Sequence, residues 1–198
     1  MVEAQPLMDE IVKQAMSKWP NVPACYGWLG LDARGHWYMR DERTQALGDF
    51  AHSKGSLLQH EKLIEFIGRN YMADPQGRWY FQNGPQQVFV ELEATPWVWR
   101  VDADGTVRTH TGLVALVQDC WLDESGKVYL TCNLGFGLLQ SQDVAWAANC
   151  IDAGVWKPQA CLSTDLPQQF GYQRSPQAMA LRQSQPKVTA TKKGPEGP

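Results

Sequence analysis

The feature that most constrains this chain is a four-fold recurrence of Asp-x-x-Gly between apolar, aromatic-rich stretches, pairing Asp32 with Gly35, Asp74 with Gly77, Asp102 with Gly105 and Asp123 with Gly126. A type I turn favours Asp at its first position and Gly at its fourth, where a left-handed backbone leads the chain into a bulged hairpin. Two residues after each Gly stands Trp37, Trp79, Val107 or Val128, in stretches rich in aromatic and β-branched residues, so each Gly opens a strand. The copies lie 42, 28 and 21 residues apart, which excludes a solenoid or propeller of fixed period and leaves shared turn chemistry.

Asn83-Gly84 is a further hairpin signal. Beyond it Val88, Val90 and Leu92 alternate with Phe89, Glu91 and Glu93, and Trp97, Trp99 and Val101 repeat the alternation after Pro96. About six sequential strands are therefore expected between residues 78 and 133. Three helices frame them. The first, about 6–19, carries Leu7, Ile11, Val12, Ala15, Met16 and Trp19 at helical spacing before Pro20. The second, about 56–72, has Leu63, Ile64, Ile67 and Tyr71 on one face, and the third, about 141–153, carries Val144, Ala147, Ala148 and Ile151 inward and stops at Gly154. The expected fold is α+β: an antiparallel β-meander of about six to eight strands packed by two or three helices, forming a single domain over residues 1–161. Residues 162–198, rich in Gln, Ser, Pro and Lys, read as a disordered tail with at most a short helical turn around 176–182.

Composition bounds the function classes. With 198 residues, 43% hydrophobic and 20% charged, the chain has the makings of one packed body plus an appendage. Its longest uncharged apolar stretch, residues 113–117, is far short of the ~18 residues of a membrane span, and the acidic start MVEAQPLMDE is unlike a signal peptide, so a cytoplasmic protein without membrane contact is expected. From Ser163 onward the net charge is +3, which leaves −6 on the preceding residues and argues against a nucleic-acid groove. Cys25, Cys120, Cys132, Cys150 and Cys161 are odd in number and form no Cys-x-x-Cys, so free thiols are expected. His36, His52, His60 and His110 are scattered, and neither a metal nor a cofactor is expected. Asp102-Ala103-Asp104-Gly105 imitates a calcium loop, but its twelfth position would be Leu113 where a bidentate Glu is needed.

No phosphate-binding, nucleophile-elbow, zinc-protease or dinucleotide signature is present. The nine Trp residues are many for this length, and the alternation cannot bury both faces of Arg78-Trp79-Tyr80-Phe81 unless both faces of the sheet are covered. An aromatic and amide-lined sheet surface around Trp79, Tyr80, Gln82 and Asn83, with Arg69, Tyr71 and His60 nearby, is thus the expected binding site of a non-catalytic interaction module. Amides recognise without titrating, so a protein partner or a small polar ligand fits, and a homodimer through the same surface is the simplest version. The alternative is a small enzyme using His60 or Cys25, with Arg69 or Arg100 holding an anion.

Two segments carry a resemblance. NVPACYGWLGLD at 21–32 and RNYMADPQGRWYFQNGPQQVFVELEATPWVWRV at 69–101 resemble an uncharacterised family of small bacterial, mainly proteobacterial, proteins. The resemblance covers roughly residues 1–160 and implies a bacterial cytoplasmic protein with a distinct domain. That family has no assigned activity, so the resemblance transfers no catalytic residue.

Overall fold

The computed structural model describes residues 8–184. Each Asp-x-x-Gly turn forms as its chemistry dictates. The Gly amide donates back to the Asp carbonyl at 2.9–3.1 Å in all four copies, and Gly35, Gly77, Gly105 and Gly126 all hold φ between +74° and +86°. In three copies the carboxylate also accepts the amides two and four residues on. Asp32 Oδ1 takes Arg34 and His36, Asp74 Oδ1 takes Gln76 and Arg78, and Asp123 Oδ1 takes Ser125 and Lys127. The turns close four hairpins: β1 (Cys25–Leu31) with β2 (Trp37–Met39), β4 (Tyr71–Ala73) with β5 (Trp79–Asn83), β7 (Trp97–Val101) with β8 (Val107–Thr109), and β10 (Val117–Leu122) with β11 (Val128–Cys132).

The fold is α+β, but the strands form two mixed sheets rather than one antiparallel meander. The first has the order β3-β2-β1-β6-β5-β4, with β3 (Ser56–Leu57) and β6 (Gln86–Leu92) completing it. The second runs β13-β10-β11-β12-β7-β8-β9, adding β9 (Val114–Ala115), β12 (Gly135–Leu139) and β13 (Pro158–Ala160). Three pairs, β1 with β6, β12 with β7 and β10 with β13, are parallel. Parallel neighbours need a long crossover, and helices supply parts of it: α2 (Glu42–Ala46) and α3 (Glu61–Arg69) lie between β1 and β6, and α4 (Val144–Asp152) lies between β12 and β13. The expected run of sequential strands breaks between β6 and β7, where the chain passes from one sheet to the other.

Helix boundaries also differ from the hydrophobic pattern. The second expected helix is confined to α3, because residues 56–57 pair with β2 and residues 71–73 pair with β5. The first helix, α1 (Glu10–Lys18), buries Val12 but leaves Ile11 72% exposed. Leu7 lies outside the described residues.

Both sheets share one core. Tyr71 and Trp79 of the first sheet meet Trp97 of the second at centroid distances of 5.4 and 5.0 Å, with Trp37 edge to face on Tyr71 at 5.2 Å and His110 beside them. Covered on both faces, β7 buries Trp97, Val98 and Trp99 in succession. The polar tips of three of these side chains are paired: Trp97 Nε1 donates to Leu134 O, Trp99 Nε1 to Leu130 O, and the Tyr71 hydroxyl to Pro96 O.

Residues 162–184, expected as tail, fold onto this body. Leu166, in α5 (Leu166–Gln169), and Tyr172 are buried, and Phe170 stacks on Phe136 of the second sheet at 3.7 Å. The chain then crosses to the first sheet, where Gln173 N donates to Gly77 O, Leu92 N donates to Arg174 O, and the buried Glu91 carboxylate accepts Ser175 Oγ and Gln177 N at the start of α6 (Pro176–Ser184). This segment straps the sheets together. Composition hid it because its apolar anchors are only a few residues separated by Gln and Ser. The rest of the expected tail, residues 185–198, lies outside the described residues.

Candidate functional site

The residues expected to form an aromatic and amide surface are spent on holding the fold. Tyr71, Tyr80 and Gln82 are buried, and Tyr80 packs on Phe89. Trp79 is half-buried in the aromatic cluster, and Gln82 Nε2 donates to Gly84 O, leaving Asn83 exposed at the hairpin tip. Arg69 pairs with Asp9 at 3.2 Å across to the start of α1, and Asn70 Oδ1 accepts the Asp9 amide. The parts of the enzyme alternative are also occupied. His60 caps α3 by accepting the Leu63 amide at 3.2 Å, and Arg100 faces Asp143 at 3.7 Å. Burial pushes the Cys25 thiol up, away from the thiolate a nucleophile needs. Among the described residues no hydrogen bond links Cys25 to His60, and no group of three or more His, Cys, Asp or Glu side chains is placed to hold a metal. No described helix is long and apolar enough to cross a membrane.

A different surface carries the features of a binding site. On the second sheet, β10 bulges between Val117 and Asp119, so that Gln118 is an extra residue opposite β11. Beside the bulge lies a groove of about 480 Å³, lined by Val117, Gln118, Asp119 and Cys120 on one side and Val155, Trp156, Lys157 and Gln159 on the other. A second hollow of about 390 Å³ shares Val117 and Trp156 and extends past Trp146 to Thr106, Val114 and Leu116. Three helix and loop features build these walls. Trp146 on α4 and Trp156 just beyond it meet edge to face at 5.3 Å. Gly105, in the third Asp-x-x-Gly turn, lets Trp146 approach, since a Cβ there would stand 2.9 Å from the indole. After α4 the chain reverses with Val155 N and Trp156 N both donating to Cys150 O.

Leu116 is 68% exposed and Val155 70%, an unusual concentration of large apolar side chains in water beside two Trp residues. The backbone under Leu116 is fixed: its amide donates to Asn133 Oδ1 at 2.8 Å and its carbonyl accepts the Asn133 amide at 3.2 Å. A rigid backbone is therefore presenting an apolar side chain to solvent. The polar end of the groove holds Asp119, Lys157, Gln118 and Gln159. The buried Cys120 thiol is pushed up to about 11, chiefly by burial, so it is a wall of the groove and not a nucleophile. Charged and apolar groups arranged this way can bind a segment with one polar and one apolar end, but no acid–base or nucleophile pair is assembled.

Sequence reasoning passed over Trp146, Trp156, Leu116 and Val155. The signal was present in residues 113–117, an apolar run with Leu113, Val114, Leu116 and Val117 that no alternation assigned wholly to a core.

No curated protein matches the chain. Among solved structures, a DUF1285 family protein from Silicibacter pomeroyi DSS-3 is similar at 13% identity and a TM-score of 0.47, over 73% of this chain and 78% of that one. The family model described as "Protein of unknown function (DUF2946)" matches residues 8–184, and the chain belongs to that family.

Proposed function

We propose that the protein is a non-catalytic binding module that takes an extended, apolar-rich segment of a protein partner into the groove between the β10 bulge and the loop after α4. The observation that carries this reading is the placement of exposed Val155 and Leu116 on two adjoining hollows that share Val117 and Trp156, with Trp146 walling the second. Burying aromatic and aliphatic anchors of this kind supplies most of the energy of a protein contact, and the polar rim of Asp119 and Lys157 orients the occupant. The net negative body disfavours polyanions as partners.

The test is selection from a random peptide library on immobilised protein, followed by fluorescence anisotropy of the enriched peptides against wild type, Leu116→Asp and Val155→Asp. Both replaced side chains are exposed, so the variants keep the fold. The expected result is enrichment of sequences with apolar residues at alternate positions, bound one to one and weakened at least ~10-fold by either substitution. Failure to enrich any sequence, or binding to both folded variants as tight as to wild type, overturns the reading.

A further inference from the structure

We propose that β13 is a self-pairing edge, through which two copies of the chain join their second sheets into one continuous antiparallel ladder. This goes beyond the groove reading: it uses the outer backbone edge of β13, of which only Gln159 lines the groove. β13 ends its sheet: it pairs with β10 on one side, and among the described residues no strand lies on the other. All three of its residues are exposed.

The direction of each backbone group follows from the ladder. Cys161 N donates inward to Leu122 O, so strand alternation turns Cys161 toward β10 and turns the amide and carbonyl of Ala160, and the carbonyl of Pro158, outward. A proline ordinarily blunts an edge by removing one donor. Here the register of a two-fold pair absorbs that loss. If Ala160 faces its own copy, the two residues exchange both N–H···O bonds, and Pro158 faces Leu162 of the second copy. The Leu162 amide can donate to the proline carbonyl, and the only bond the proline cannot make would go to Leu162 O. That carbonyl already accepts the Asp165 amide at 3.0 Å within its own chain. The missing donor therefore meets an acceptor that is already satisfied.

The side chains match the same register. Pro158 and Ala160 line a hollow of about 390 Å³ with Leu122, Cys161 and Leu162, while Gln159 points to the other face of the strand. Leu162 is 56% exposed and Leu122 37%. In the paired form each Leu162 lies across from Pro158 of the second copy, beside the hollow on that copy, and four apolar side chains leave water together. A two-fold contact requires one patch to complement itself, and this strand does so in its hydrogen-bond register and in the apolar side chains that register brings together.

Sedimentation velocity over a concentration series of the full chain is the experiment, run on wild type, Ala160→Pro and Leu162→Arg. Wild type is expected to reach twice the 22.3 kDa chain mass as concentration rises. Ala160→Pro deletes the outward amide without touching the bonds to β10 and weakens the dimer about 30-fold, the loss expected for two hydrogen bonds. Leu162→Arg, at an exposed position, has the same direction of effect and covers the case in which the proline variant does not fold. Hydrogen exchange supplies a local readout: the Ala160 amide is protected in the dimer and exchanges freely on dilution. A wild type that stays monomeric throughout, or a dimer that persists in folded Leu162→Arg with an unprotected Ala160 amide, overturns the proposal.

Discussion

Replacing His110 should flatten the acid side of the stability profile, and the size of the effect follows from where its ring sits. His110 Nδ1 accepts the Val98 amide at 3.3 Å, so the neutral ring carries its proton on Nε2. Part of the residue reaches the surface, but Nε2 is sealed from water with no partner in the protein, and the ring lies 5.4 Å from Trp37, 5.9 Å from Tyr71 and 5.7 Å from Trp97. A second proton would break the Val98 bond and leave a buried cation among aromatic rings. Burial accordingly lowers its pKa from 6.5 to about 3, with the charge of Asp32 pulling weakly the other way. Between those values the unfolded chain binds a proton that the native state refuses, so stability falls as pH falls. The loss is about 2 kcal/mol between pH 7 and pH 5 and reaches ~4 kcal/mol by pH 3. Glu91 acts with the opposite sign, since burial raises its pKa and the native state takes its proton first as pH falls. The comparison must therefore be between wild type and His110→Asn, whose Oδ1 can still accept the Val98 amide. Urea denaturation of both at pH 7 and pH 5 separates the level, which the smaller side chain lowers, from the slope. The variant's stability should fall by ~2 kcal/mol less over this interval. Parallel losses in the two proteins, or an imidazole NMR signal from His110 that titrates near pH 6, would refute the reasoning.

Two further outcomes test the turns and the strap. Gly77→Ala puts a side chain at φ +74° and directs its Cβ onto the backbone of Gly171 and Tyr172, so the strap must lift. A loss of at least ~2 kcal/mol in urea denaturation, with faster proteolysis within 162–184, is expected. Asp123→Ala removes an acceptor shared by the Ser125 and Lys127 amides and by the Tyr129 hydroxyl, which is buried. It should cost ~2–3 kcal/mol, whereas Asp104→Ala, at an exposed carboxylate that accepts the Thr106 amide, should leave the urea midpoint nearly unchanged.

Local chemistry was legible in the sequence, and long-range pairing was not. The four Asp-x-x-Gly hairpins appear where expected because such turns are decided within a few residues, by one carboxylate and one left-handed glycine. The mixed sheets escaped because alternation in Trp97, Trp99 and Val101 reports that a strand has a buried face, and says nothing about which strand lies beside it. β7 is adjacent in space to β12, 34 residues beyond its own end at Val101, and runs parallel to it.

The same limit explains the misplaced site. Aromatics at Trp79, Tyr80 and Phe81 looked exposed because a single sheet offers only one buried face, but two sheets and a strap cover both. An aromatic-rich stretch is evidence of a site only after the number of covering layers is known. Apolar residues that remain exposed once all described layers are in place are the better indicator of a binding surface. Leu116, Val155 and Leu162 are among them, and these three lie on or beside the second sheet near β10 and β13, each lining a hollow. Leu116 sits on a backbone pinned by Asn133, and Leu162 follows a strand with one side of its ladder unfilled. Each leaves a large apolar side chain in water, which costs the isolated chain free energy. The proposed groove and the proposed self-pairing edge thus rest on the same kind of observation, apolar side chains left in water on a fixed backbone of the second sheet.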